Sequence, residues 1–316
     1  MRVALYICPQ TVLSSLSMAL DALQLANQLA GQTLFEVQRI SADGQAVELG
    51  IAELRVQGDM SLADSADLLL IPATGSALQQ TLDNNTVLLD WLRERPSEQA
   101  LASLCSSACL LAASGQLDER RATTHWRLAN SFRQRFPNVR LQIDQLFTED
   151  NNRFCSGGAQ AGLDLCLHLI ARYAGDWLAE QVAGTLVIER ERGKQSRFTP
   201  LLPSQGLDDP QMAALLRWMR QHHAEAIDLP SLAERAHCSP RTLLRRFRTA
   251  TGLTPNDYLQ RLRISAAQQA LRNPACSLEQ VAEQVGYADR ASFAKRFKQL
   301  CGETPGAFRK RLRQQS

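Results

Sequence analysis

Two groups of residues in this 316-residue chain are candidates for reactivity or recognition. The first is a single thiol. Cys105 closes the apolar run Ala100-Leu-Ala-Ser-Leu-Cys105 and is followed by small residues, Ser106-Ser107-Ala108, that open a helix. A thiol at such an elbow faces the positive end of the helix, which lowers its pKa and favours the nucleophilic thiolate. To act it needs a base at its side, and His125 is placed to approach from a loop of its own. The competing role is the common one for cysteine, a small buried apolar residue. The second group is basic and is written twice. The stretch Ser231 to Pro255 returns as Ser277 to Pro305: Arg246, Phe247, Gly252 and Thr254-Pro255 match Arg296, Phe297, Gly302 and Thr304-Pro305 at an offset of 50 residues. Upstream, Ala233 matches Ala282 at an offset of 49, so the second copy has one more residue in its turn.

Each copy reads as a short helix, a tight turn and a second helix with a basic outer face, a helix-turn-helix present twice. The first helices are expected to open with capping boxes, Ser231-x-x-Glu234 and Ser277-x-x-Gln280. The second helices start at Ser239-Pro240, a cap followed by a harmless proline, and at Asp289. Leu243 and Phe247, then Phe293, Phe297 and Leu300, recur at helical spacing and face a core. A helix fits the major groove, and two such helices about 34 Å apart can read adjacent groove segments of one duplex. The residues expected at base edges are Arg241, Thr242, Leu244 and Arg245 in the first copy and Arg290, Ala291, Ala294 and Lys295 in the second. Arginine donates two bonds to guanine, and Leu or Ala meets the thymine methyl. Arg246 and Arg296, each just before a core Phe, suit an ion pair slightly better than a phosphate contact.

Charge divides the chain the same way. Residues 207–316 hold 18 Lys+Arg against 10 Asp+Glu, net +8, whereas residues 1–206 hold 17 against 22, net −5. A basic module of this size is the electrostatic footprint of a nucleic-acid partner. Residues of about 209 to 314 resemble the DNA-binding domain of AraC/XylS-type transcription regulators, most specifically through Gly286-Tyr-Ala-Asp289 and Phe297-Lys-Gln-Leu-Cys-Gly-Glu-Thr-Pro305. That resemblance implies seven helices, with a long linking helix at roughly Thr254 to Asn273. The chain departs from its own repeat at His237-Cys238, where the second copy has Gly286-Tyr287; if that turn needs a positive φ, the first copy is strained.

The first 190 residues alternate apolar strands with helices: a strand at 2–8, a helix through Leu16, Leu20, Leu23 and Leu29, strands at 35–40 and 66–72, a helix near 88–95 and a strand at 100–105. This pattern predicts a parallel sheet covered on both faces. Ligands of such sheets bind beyond the carboxyl ends of the strands, which nominates Pro9, Ala73 to Ser76, Cys105-Ser106 and Gly157-Gly158. The start carries no signal peptide, no run reaches the ~18 apolar residues of a membrane helix, and eight cysteines without a Cys-x-x-Cys pair suit reduced thiols. A soluble cytoplasmic protein is expected. Adjacent His222-His223 cannot share a helix face, so no metal is predicted, and no cofactor either; His168, among Leu165, Cys166, Leu167, Leu169 and Ile170, reads as a core histidine.

The segment from Cys105 to Trp126, with Ser156-Gly-Gly-Ala-Gln-Ala-Gly162 and the residues to Ile170, resembles the ThiJ/PfpI group of class I glutamine amidotransferase-like domains. The implied fold class is an α/β flavodoxin-like three-layer sandwich, here joined to an all-α double helix-turn-helix domain. In that group the elbow cysteine can be a nucleophile assisted by a carboxylate and a histidine. Here Ser15 stands where the carboxylate belongs, Ser106 replaces the histidine, and Ala73-Thr74-Gly75 replaces a Gly-Gly pair; Asp21 comes one to two turns late. The chain is therefore expected to be no enzyme but a regulator in three parts: a sensor at 1–190, a linker at 191–207 rich in proline and glycine, and a DNA-binding domain at 208–316. Its expected effector contacts are Pro9, Ser15, Thr74, Gly75, Cys105, Ser106, His125 and Gly157. The resemblance implies an amine, amino-acid or quaternary-ammonium effector, promoter DNA and RNA polymerase as partners, a homodimer, and most often activation. The alternatives are a cysteine-dependent hydrolase or hydratase with a DNA-binding tether, and a redox switch at Cys105.

Overall fold

Leu68-Leu-Leu-Ile71 is buried along its whole length, and its side chains divide strictly by parity: Leu68 and Leu70 enter one core, Leu69 and Ile71 another. Arg2–Tyr6 does the same, sending Val3 and Leu5 one way and Ala4 and Tyr6 the other. The two-residue period of a strand thus builds two apolar layers from one continuous apolar run, which is why these strands must lie inside a covered sheet. The structure, a computed structural model, describes residues 1–190, Gln195 and 209–314. It divides into two compact units, Met1–Gln195 and Ser196–Ser316.

The first unit runs β1 (Arg2–Tyr6), α1 (Leu13–Ala30), β2 (Glu36–Ile40), β3 (Val47–Glu48), β4 (Glu53–Leu54), α2 (Ser61–Asp64), β5 (Leu68–Ile71), α3 (Leu78–Asp83), α4 (Thr86–Arg93), β6 (Ala100–Ser103) and α5 (Ala108–Ala113). It continues with β7 (Arg121–Ala122), α6 (Ala129–Arg135), β8 (Arg140–Leu141), β9 (Phe147–Asp150), β10 (Arg153–Ser156), α7 (Ala161–Ala174) and α8 (Asp176–Thr185). The main sheet has six strands in the order β2-β1-β5-β6-β10-β9, all parallel except the edge strand β9. Leu16 and Leu23 of α1, Leu165 and Leu169 of α7 and Leu178 of α8 cover one face; Leu88 and Leu92 of α4, Leu110 of α5 and Phe132 of α6 cover the other. This is the flavodoxin-like three-layer sandwich. The chain leaves β1 toward β2 and returns on its other side to β5, so the order of strands reverses between β1 and β5 and opens a crevice at their carboxyl ends.

Two expectations change here. His168 is half-buried at the sheet edge rather than in the core: its Nε2 lies 2.6 Å from Glu149 Oε2, and Arg172 holds the other carboxylate oxygen at 3.0 Å. The apolar neighbours of His168 in sequence point inward from α7, whereas the imidazole reaches the charged edge strand β9. Of the expected linker only Gln195 lies among the described residues, and it is 2 % exposed, packed into the first unit.

The described part of the second unit has seven helices: α9 (Pro210–Gln221), α10 (Leu229–Arg235), α11 (Pro240–Thr251), α12 (Pro255–Ala270), α13 (Leu278–Gln284), α14 (Arg290–Cys301) and α15 (Pro305–Gln314). Capping explains most starts. Ser239, Thr254 and Asp289 accept from the backbone N–H three residues on, and Ser277 with Gln280 forms a reciprocal capping box at 3.1 and 2.7 Å. The box expected at Ser231 does not form. Asp228 caps α10 by accepting from Ser231 N–H at 2.9 Å, and Pro230 pre-sets the first turn, so the helix begins three residues earlier and Ser231 lies inside it. Each copy has a core of its own: α12 gives Tyr258, Leu259 and Leu262 to the first and Ile264 and Ala267 to the second.

Candidate functional site

The crevice is built from four strand ends. After β5, Ala73 N–H donates to Ser15 Oγ at 3.0 Å and Thr74 N–H donates to Ser106 Oγ at 2.9 Å. Ser15 and Ser106 are both buried. The two hydroxyls that replace a carboxylate and a histidine thus tie the β5 loop to α1 and to the elbow. After β6, Cys105 adopts φ +59°, a left-handed conformation costly for a residue with a Cβ. It is held there by its N–H donating to Ser156 Oγ (3.2 Å) and by its carbonyl accepting from Thr124 Oγ1 (2.9 Å). Gly157 and Gly158 follow β10. His125 Nδ1 accepts from Arg127 N–H at 3.1 Å, and its ring lies against Gly158. Gly75 at φ +75° turns the β5 loop away into open space. Pro9 is exposed, on the short connection between β1 and α1 that Thr11 closes by accepting from Cys8 N–H. Ser15, Thr74 and Ser106 therefore form one bonded group and Cys105, His125 and Gly157 line the adjoining side. Pro9 is not drawn into either group by a hydrogen bond among the described residues. Asp21 points to solvent.

The electrostatics run against the expected thiolate. Burial pushes the Cys105 thiol up to about 11, and the Ser106 hydrogen bonds that favour the anion do not offset it. Only a single turn of 3-10 helix, Cys105–Ser107, precedes the six-residue α5, which leaves the helix end little field with which to oppose desolvation. Burial, reinforced by the Arg127 charge, also lowers the His125 pKa, so that imidazole is neutral near pH 7. The N–H groups of Ala73, Thr74 and Cys105 are bound to Ser15, Ser106 and Ser156, whereas Ser106 N–H faces the Cys105 thiol. Thr74 Oγ1 is buried without a hydrogen-bond partner among the described residues.

Sequence reasoning missed Gln195. Its Oε1 accepts from Gly158 N–H at 2.9 Å, its Nε2 donates to the carbonyls of Ile143 (2.7 Å) and Thr124 (3.1 Å), and its own N–H donates to Asp144 O at 2.7 Å. A polar residue in a proline-rich stretch gives no periodicity to read; the signal that could have found it is Gly157-Gly158, whose missing side chains make room for it. A Cβ on Gly157 would lie 2.7 Å from the Gln195 amide.

In the second unit the two basic helices repeat each other in burial. Leu243 and Phe247 of α11 are buried, as are Phe293 and Phe297 of α14, while Arg241, Arg245 and Arg248 are exposed where Ala291, Lys295 and Lys298 are. Thr242, Leu244 and Ala294 are half-buried at the rim of the same outer faces. Arg241, Arg245 and Lys295 make no ion pair among the described residues, whereas Arg290 is held by Glu279 of α13 at 2.5 Å. Arg246 is an internal tie, forked onto Asp209 at 2.6 to 3.1 Å and reaching Gln211 at 3.0 Å, so it docks α9 on α11. Arg296 bonds Gln299 on its own helix. His237, in the turn before α11, takes φ +48° where Gly286 takes φ +85°, so the strain expected of the first turn is present.

A sandwich whose strand-end crevice carries a cysteine elbow, followed by two helix-turn-helix units, defines a class of transcription regulator. The chain belongs to the DJ-1/PfpI family, whose model matches residues 1–172, and a helix-turn-helix domain model of AraC type matches residues 232–311. The HTH-type transcriptional regulator GbdR of Pseudomonas aeruginosa is 29 % identical over 296 residues, 93 % of this chain and 80 % of its own. ArgR of the same organism is 29 % identical over 322 residues, covering 99 % of this chain and 94 % of its own. Among solved structures, Drosophila melanogaster DJ-1beta superposes with a TM-score of 0.50 at 18 % identity, over 60 % of this chain and 98 % of its own, and shares the fold of the first unit.

Proposed function

We propose that this regulator is effector-controlled: the α/β unit takes up a small metabolite at the carboxyl ends of β1, β5, β6 and β10, and the bound metabolite biases the second unit toward productive promoter binding and activation. The observation that carries the DNA half is the repeated face of α11 and α14. Their inward positions are filled by Leu243, Phe247, Phe293 and Phe297, and their outward positions hold Arg241 and Arg245, then Ala291 and Lys295, the three cations making no ion pair among the described residues. Base edges are read by Arg241, Thr242, Leu244 and Arg245, and by Ala291, Ala294 and Lys295. Arg290 exchanges Glu279 for DNA, an exchange that an exposed pair allows at little cost. Effector contacts fall to Thr74, Cys105, Ser106, His125 and Gly157, with Ser15 and Gly75 shaping the loop that carries Thr74. A homodimer, a cytoplasmic location and contact with RNA polymerase complete the reading, as the resemblance of the sequence to AraC/XylS-type regulators implies.

Hydrolysis is disfavoured by the same geometry. A thiol that burial keeps protonated and a His125 whose Nδ1 already accepts from Arg127 N–H leave acyl transfer without an activated nucleophile. The test is selection of duplexes by the full chain from a random pool, followed by anisotropy titration of the selected and scrambled sequences. Enrichment of a two-part site spanning adjacent major grooves is expected; no enrichment at ~0.15 M salt overturns the reading.

A further inference from the structure

Gln195 occupies its place as a ligand would. Its carboxamide meets one backbone donor, Gly158 N–H, and two backbone acceptors, the carbonyls of Thr124 and Ile143. The residue is 2 % exposed although its neighbours in sequence are not apolar, and its amide lies over Gly157, where any Cβ would collide with it at 2.7 Å. This group of backbone atoms adjoins the elbow directly: Thr124 Oγ1 donates to Cys105 O, and Ser156, just before Gly157, receives Cys105 N–H. The loops that carry this donor and these acceptors are also tied by bonds that do not involve Gln195: Gly157 N–H to Leu146 O and Gln142 N–H to Ala122 O at 2.7 Å, and Ala161 N–H to Gly158 O at 2.8 Å.

We infer that Gly158, Thr124 and Ile143 form a subsite for a primary carboxamide, masked in this state by the chain's own Gln195, and that the effector carries such an amide and competes with Gln195 for it. The inference rests on the reading of the α/β unit as effector-binding. The chemistry is selective. A carboxylate would set negative oxygen against the carbonyls of Thr124 and Ile143, and an amidinium would set N–H against the N–H of Gly158; only an amide matches all three. Regulation follows from sequence position: Gln195 stands fourteen residues ahead of Asp209, the cap of α9, so a ligand amide that takes its place releases an anchor on the chain that leads to the DNA-binding unit. An internal occupant lowers apparent affinity by the fraction of molecules in which it is bound.

The test uses the full-length chain and propionamide, which copies the end of the glutamine side chain, with propionate and propionamidine as controls, read by calorimetry. Gln195→Ala and Gln195→Glu, the second keeping the length but placing a carboxylate against two carbonyls, are each expected to bind propionamide at least ~10-fold more tightly than the wild type, with no binding of either control. Gly157→Ala, which expels the Gln195 amide without altering that residue, is expected to lose the masking and, with its methyl in the subsite, to bind no propionamide. Equal affinity in wild type and both Gln195 variants, or binding of propionate as strong as that of propionamide, overturns the proposal. Failure of the wild-type chain to select any duplex would sink the regulator reading and leave the calorimetric result standing, so the two are separable.

Discussion

At the scale of single residues, the decisive quantity is the desolvation of a thiol. Sequence placed Cys105 at an elbow facing a helix start and left it between an activated thiolate and a small buried residue; burial of the side chain, which no local pattern reveals, favours the second. The labelling rate of Cys105, measured as the difference between wild type and Cys105→Ser, should rise about tenfold per pH unit through pH 10, approaching a plateau only near its pKa of about 11. A plateau near 8.5 would show an ordinary thiol and overturn the effect of burial; only a plateau well below 8.5 would reopen the redox switch. Cys109, Cys155, Cys166 and Cys301 are pushed up in the same way, to between about 11 and about 12. A folded pKa above the unfolded one contributes stability that is complete below the unfolded value and is lost as pH rises toward the folded one. Denaturant midpoints should therefore hold to about pH 9 and fall beyond it. On the DNA side, Arg241→Ala or Arg245→Ala should weaken binding to a selected duplex by about 1–3 kcal/mol while sparing scrambled DNA; equal losses on both would mean phosphate contact alone. Arg246→Ala should instead lower the melting temperature, since its partner is Asp209. The residues around Arg246 favoured an ion pair only slightly over a phosphate contact, because the partner lies 37 residues away.

At the scale of elements, what could be read in advance was whatever a period or a cap encodes. The paired apolar positions of α11 and α14, the Ser239 cap and first-turn proline of α11, the Asp289 cap and the alternating strands and helices of the first unit all follow local rules. What escaped depended on choice between neighbouring caps: Asp228 and Ser231 are both good N-cap residues, and Pro230 decides for the former. Ser277→Ala should then cost ~1 kcal/mol in chemical unfolding, and Ser231→Ala clearly less, with Asp228→Ala melting below Ser231→Ala. The turns are a second case. Gly286 combines φ +85° with an approach so close that a Cβ would sit 2.4 Å from Ala224 O. Gly286→Ala is expected to destabilise by roughly 1–3 kcal/mol from the backbone alone, measured by thermal unfolding, and more if Ala224 cannot yield. A His237→Gly change at the corresponding turn should be tolerated, because it removes the same strain from the first copy.

At the scale of the molecule, charge and fold are separately legible. The net +8 of residues 207–316 against −5 for the remainder marks the duplex-binding part without any structural input. The order β2-β1-β5-β6-β10-β9 was not legible in the residues, since strand order is set by long-range pairing that no single segment encodes. No described helix is long and apolar enough to cross a membrane. Binding by the whole chain should weaken steeply as salt rises, and Lys298→Ala should reduce that slope by about one ion if Lys298 touches phosphate, an outcome read from titrations at several salt concentrations. Finally, α12 lends its first half to one apolar nucleus and its second half to another. A lesion such as Phe297→Ala, worth about 3–5 kcal/mol, would thus ruin one nucleus and spare its twin. The mutant protein would keep a grip on half an operator, and inherited damage to this unit would dim a promoter by degrees instead of switching it off.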